Sequence, residues 1–145
     1  MAAALLCAGL LYPLSPSARG GRSSDPMSEW RIAGDTIDVS DNHGGSVMQY
    51  DSLWTELAAQ GKRVRVVGNC QSACTTLLGH VPASRICVTP EAAFGFHLAQ
   101  HEAGTETMWG GYPAGIRQWI QQQGGLTAEF KWLRAPDIYR YFQRC

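Results

Sequence analysis

The sequence predicts an α/β domain built on a largely parallel sheet, and three observations lead there. The middle of the chain alternates short runs rich in β-branched residues with glycine-bearing turns and segments of helical period, the pattern of βαβ units with right-handed crossovers. Its glycine turns fall where strands end, which is where such sheets collect reactive groups. With 45% apolar content over 145 residues, the chain can bury one core and has no need of a second.

Taken in order, residues 29–40 read as two short strands around a Gly34-Asp35 turn, with Trp30, Ile32, Ile37 and Val39 as the apolar positions. Residues 41–46 form a turn. Val47 to Gln60 has helical spacing, with Val47, Tyr50, Leu53, Trp54, Leu57 and Ala58 on one side and Gly61 placed as the residue that ends the helix. Lys62 to Val67 is a strand, Ser72 to Gly79 a short helix of small residues, Ser84 to Thr89 a strand stopped by Pro90, and Ala92 to Leu98 an apolar strand running into His97. Gln100 to Tyr112, rich in glycine and polar residues, reads as a loop. Pro113 to Gln123 is a helix with Ile116, Trp119 and Ile120 as its stripe; Leu126 to Glu129 opens another with Thr127 as N-cap; Pro136 to Phe142 is a last one. Lys131, Arg134 and Arg140 read as a solvated face, and Trp109, Trp119 and Trp132 as core or interface.

Twelve basic and twelve acidic residues cancel, which leaves no footprint for nucleic acid or an anionic membrane. Residues 1–21 read as a signal or targeting segment: Ala2 to Leu14 is apolar or small, enough for a signal core but short of the roughly twenty residues that span a bilayer. Residues 22–28 are a polar linker, and 29–145 the folded domain. Of five cysteines, removal of Cys7 with the signal leaves Cys70, Cys74, Cys87 and Cys145. In an oxidising compartment these make two disulfides, in any of three connectivities, with Cys70 and Cys74 bracing the turn around Ser72. A zinc site would need a closer pair than Cys70 and Cys74 and a second pair that the sequence lacks. The sequence implies no metal and no cofactor.

The chemistry gathers around Gly68-Asn69-Cys70-Gln71-Ser72-Ala73. A serine between a strand and a helix is by itself an ordinary N-cap, and His97 in an apolar run is by itself an ordinary core histidine. Together they supply a nucleophile and a base. Gly44-Gly45 lets backbone approach a substrate closely, so the N–H groups of Gly45 and Ala73 can form an oxyanion hole. His43, His80 and His101 read as loop or surface residues.

Three segments in this order, Asp41-Asn42-His43-Gly44-Gly45-Ser46-Val47, the Ser72 turn, and Pro90 followed by Gly95-Phe96-His97, resemble the Clp protease proteolytic subunit and its relatives of the crotonase-like superfamily. The paired cysteines around Ser72 look more like an exported bacterial branch of uncharacterised proteins. The resemblance covers about Ile32 to Leu98. It implies a β-α-β superhelical core, with Ser72 as nucleophile, His97 as general base, and Gly45 and Ala73 as oxyanion donors. The sequence departs from the family at His43, where proline is frequent, at Cys74, where small residues are usual, and in its third catalytic residue; Asp137 is the first candidate for that acid and Glu129 the second. The expectation is an exported serine hydrolase, peptidase-like, periplasmic or extracellular, acting on a peptide or protein and assembling as a homo-oligomer, with no membrane span once the signal is removed. The alternative is a non-catalytic exported binding or structural module on the same fold. A crotonase-type acyl-CoA enzyme is a third reading, disfavoured because an exported, disulfide-bonded protein would rarely meet that cofactor.

Overall fold

A computed structural model describes residues 31–145. The expected targeting segment, the linker and Trp30 lie outside the described residues. Strands β1 (Arg31–Ala33) and β2 (Thr36–Val39) form the expected hairpin, and β2 continues in parallel register with β3 (Arg63–Val66), β3 with β5 (Ile86–Val88), and β5 with β8 (Gln143–Arg144). This five-stranded sheet is parallel except at β1. A second sheet of three strands orders β4 (Asn69–Gln71), β6 (Ala93–Phe96) and β7 (Lys131–Arg134), with β4 parallel and β7 antiparallel to β6. The fold is α/β with a mainly parallel principal sheet.

The pattern of each strand tells which sheet it joins. Arg63-Val64-Arg65-Val66 alternates, and Val64 and Val66 are buried while the arginines are exposed. Ile37, Val39, Ile86 and Val88 face the same core. Parallel sheets are usually covered on both faces; here the outer face stays wet, and Arg65 Nε and Nη2 bind the two Asp38 carboxylate oxygens at 2.9 and 2.6 Å across it. Strand β6, Ala93-Phe94-Gly95-Phe96, is apolar at every position and buried at every position.

Helix α1 (Val47–Ala59) is capped by Ser46, whose Oγ accepts the Gln49 N–H, and it buries Tyr50, Trp54 and Leu57. It ends in a Schellman motif: Lys62 N–H reaches the Leu57 carbonyl at 3.2 Å and Gly61 N–H the Ala58 carbonyl at 3.0 Å, with Gly61 at φ 74°. The Ser72–Gly79 segment is an eight-residue 3₁₀ helix, buried from Ala73 to Leu78, and α1 packs on it.

Three expectations for the second half need correction. Residues 100–112 are not a loop but contain helix α2 (Glu102–Gly111). Its glycines hid it, and they serve packing: a Cβ on Gly79 would stand 3.0 Å from the Gly111 Cα, so α2 meets the Ser72–Gly79 helix backbone to backbone. Helix α3 (Ala114–Gln122) is as expected, but Leu126 to Glu129 opens no helix. There Thr127 Oγ1 accepts the Glu129 N–H at 3.3 Å in a local turn, and the chain enters β7. Pro136 to Phe142 yields only a 3₁₀ turn (Asp137–Arg140) before β8. No helix of the described residues is long and apolar enough to cross a membrane.

Trp54 is fully buried between α1 and the core. Trp54→Ala is expected to lower stability by about 3–5 kcal/mol, whereas Arg63→Ala on the wet face should stay within about 0.5 kcal/mol of the parent; urea unfolding midpoints measure both.

Candidate active site

After β3 the chain leaves the principal sheet. Val67 N–H still pairs with the Val39 carbonyl at 2.8 Å; then Gly68 turns the chain into β4 beside β6. Ser72 follows at once, with φ 54°, in the left-handed region that non-glycine residues rarely visit. The turn is held from several sides. A disulfide joins Cys70, in β4, to Cys74, in the helix, so it closes directly around Ser72. The Thr75 hydroxyl donates to the Ser72 carbonyl at 2.6 Å. With its one proton so used, Thr75 accepts from the Tyr112 hydroxyl, also at 2.6 Å. Burial pushes the Tyr112 phenol well above its ordinary pKa, against a smaller opposing effect of the Thr75 bond, so it stays a neutral donor. Cys87 pairs with Cys145 and fastens the C-terminus to β5; the structure thereby selects one of the three connectivities.

His97 is the first residue beyond β6, half-buried, with Nε2 2.7 Å from Ser72 Oγ. The Ala128 backbone lies close enough to act on the ring as a partner that favours its charged form. In the tautomer with its proton on Nδ1, His97 presents Nε2 as an acceptor to the Ser72 hydroxyl. The Phe130 ring stacks on the imidazole, with centroids 4.1 Å apart and planes 19° apart. Desolvation lowers the pKa of His97 below the ordinary 6.5, outweighing the Ala128 hydrogen bond, which acts to raise it.

The glycine loop closes over this pair. Asn42, fully buried, joins β4 through its backbone: its N–H meets the Asn69 carbonyl at 2.8 Å and its carbonyl the Gln71 N–H at 3.0 Å. Its Oδ1 accepts the Gly44 N–H at 3.0 Å and the Tyr50 hydroxyl at 2.7 Å. Gly44 has φ 81°, and a Cβ there would stand 2.9 Å from Ser72 Cβ and 3.0 Å from the Ala73 nitrogen. Only glycine lets the loop lie against the Ser72 turn. The Ala73 N–H belongs to the first turn of a helix, where no intrahelical acceptor exists. Among the described residues neither it nor the Gly45 N–H has an acceptor. A cavity of about 730 Å³ opens in front of Ser72 and His97, walled by Gly45, Val47, Met48 and Ala99, with His43 and His101 at its edges. His80 lies elsewhere, paired with Asp51 at 2.7 Å.

The expected acid is not beside His97. Strand β7 runs antiparallel to β6, pairing Lys131 with Phe96 and Arg134 with Ala93. Residues after Arg134 therefore lie past the end of β6 remote from His97. Asp137 sits there, its carboxylate 3.7 Å from Arg140. Residues before Lys131 lie at the His97 end, where Leu98 N–H binds the Thr127 carbonyl at 2.8 Å; this brings the Ala128 carbonyl and Phe130 to the imidazole. Glu129, the second candidate, is exposed. The sequence gives no sign of a backbone carbonyl as partner, and Phe130 was hidden because a helix was expected where the turn and β7 lie.

No protein-family model matches the chain, and no curated protein does. Among solved structures it is similar to a mutant of ClpP1 from Listeria monocytogenes, at 20% sequence identity over 76% of this chain and 71% of that one, with a TM-score of 0.45.

Gly44→Ala would force a Cβ against Ser72 and Ala73 in a left-handed backbone. It is expected to cost about 1–3 kcal/mol of stability, read by thermal melting, whereas Gly110→Ala, with nothing within 4 Å of the added Cβ, should be neutral or stabilising.

Proposed function

We propose that this protein is a serine hydrolase of peptidase-like chemistry, with Ser72 as nucleophile and His97 as general base. The observation that carries the reading is the 2.7 Å contact between Ser72 Oγ and His97 Nε2, made at a left-handed turn that exposes the serine to a cavity. On substrate attack the Ser72 proton passes to His97 Nε2 as Oγ bonds the carbonyl carbon. The oxyanion accepts the Ala73 and Gly45 N–H groups, which need no reorganisation to meet it. His97 then returns the proton to the leaving amine or alcohol, and a water activated by the same imidazole releases the acyl group. The Ala128 carbonyl orients His97 in place of an acid, so the catalytic unit is a dyad. The apolar walls at Val47, Met48 and Ala99 suit an uncharged side chain of a peptide. The two disulfides fit an oxidising compartment, and hence export. Self-association, implied by the family resemblance, completes the proposal and is measurable by light scattering.

The non-catalytic reading draws on one observation: the partner of His97 besides Ser72 is the neutral Ala128 backbone, which stabilises an imidazolium less than a carboxylate does. Labelling with a fluorophosphonate separates the two. The folded, oxidised protein should label at Ser72; Ser72→Ala should not label; His97→Ala should label about 100-fold more slowly or worse; Asp137→Asn should behave as the parent. Absence of parent labelling would give the binding-module reading the field.

The reactive form of His97 is neutral, and burial weakens its hold on a proton. The acid limb of the labelling rate should therefore lie below pH 6.5, the value for a free imidazole. A limb above it would contradict this account of the base.

A further inference from the structure

We propose that Phe130 is the positioning residue for His97, holding the imidazole in the plane that an acid would otherwise help to define. The inference rests on reading Ser72 and His97 as an acyl-transfer pair. Its basis is geometric. The Nε2 hydrogen bond to Ser72 and the Ala128 backbone constrain the ring only at points along its edge. They leave the ring free to rotate about the line through those points. A charged carboxylate would resist that rotation through a strong, directional bond, and the neutral Ala128 carbonyl resists it less. A flat surface against the ring face removes this freedom directly, and Phe130 provides one at 4.1 Å and 19°.

Phe130 is itself supported. Its ring stacks on Trp132, with centroids 5.2 Å apart and planes 29° apart. Trp132 in turn lies over Gly95, where a Cβ would come 2.7 Å from the indole, and the Arg134 guanidinium rests 4.7 Å above the indole. Gly95 pairs with Trp132 across the β6–β7 ladder, so the stack is built on the same strand that delivers His97. The order imidazole, phenyl, indole, guanidinium gives the base a rigid wall on one face.

The same ring excludes water from the imidazole. It opposes protonation by desolvation and favours it through its π face; the net direction at His97 is downward, with desolvation the larger influence. The other titratable groups around the ring are His43 from the glycine loop, His101 at the head of α2, and Glu129 and Lys131 flanking Phe130. Of these His43, His101 and Glu129 are exposed and Lys131 is half-buried.

The test combines an NMR titration of His97 with fluorophosphonate labelling, in the parent, Phe130→Ala, Phe130→Leu and Phe130→Tyr. Leucine keeps apolar bulk without a flat ring, and covers the case in which alanine fails to fold. The titration midpoint should move up toward 6.5 in Phe130→Ala, which opens the ring face to water, the labelling rate should fall about tenfold or more in Phe130→Ala and Phe130→Leu alike, and Phe130→Tyr should restore both. A lower melting temperature with an unmoved His97 titration and unchanged labelling would overturn the proposal and leave Phe130 a packing residue. Should the parent fail to label while Phe130→Ala still moves the titration, the acyl-transfer reading falls and the positioning of His97 by Phe130 stands.

Discussion

The backbone at Ser72 is the constraint on which the rest of the site depends. A serine at φ 54° is unfavourable by an amount of order 1–3 kcal/mol and persists only where its surroundings over-determine it. The fold supplies that over-determination on every side. The Cys70–Cys74 bridge closes a loop with Ser72 at its centre, Thr75, itself held by Tyr112, binds the Ser72 carbonyl, and Gly44 lies against the serine Cβ. The conformation puts the side chain out toward the cavity while the Ala73 N–H begins a helix.

That turn needs a dense surrounding made from small residues. The Ser72–Gly79 helix is buried from Ala73 to Leu78, and α1, α2 and β6 all pack on it. Close approach is possible because Gly79 and Gly111 meet with no side chain between them. Two sheets then share the work. The principal sheet provides the platform, and the chain passes from β3 into β4 to reach β6, which carries His97 at its end. Asn42 ties the glycine loop to β4 through main-chain and side-chain bonds alike. Ser72, His97 and the Gly45 and Ala73 N–H groups thus all hang from β4 and its immediate neighbours.

Among the described residues, His97 is held by neutral groups. With the Ala128 backbone and the Phe130 ring as its neighbours, His97 has no anion among the described residues to stabilise its charged form, and burial lowers its pKa. For the proposed acyl transfer a weaker base still suits mildly acidic or neutral conditions, because the neutral imidazole is the form that accepts the serine proton.

Local patterns in the sequence determined a good deal. Alternation in Arg63-Val64-Arg65-Val66, the Gly61 stop after α1 and the apolar run into His97 are short-range signals, and each element lies where they put it. The Ser72, His97 and Gly44-Gly45 segments stood out because their residue types and order are unusual together. The second half was less legible. Helix α2 carries glycines whose value lies in contact with another helix, which no local propensity registers. The turn at Thr127 and strand β7 were hidden because an N-cap and an ST turn share the same residue signal. The acid was misplaced for a purely tertiary reason: antiparallel pairing of β7 with β6 carries Asp137 away from His97 and brings the Ala128 carbonyl and Phe130 to it. Sequence separation is blind to strand direction. The sequence alone therefore determined which residues stand out as chemical candidates, while only the packed sheets decided which groups lie against His97, because that choice depends on the register of two strands.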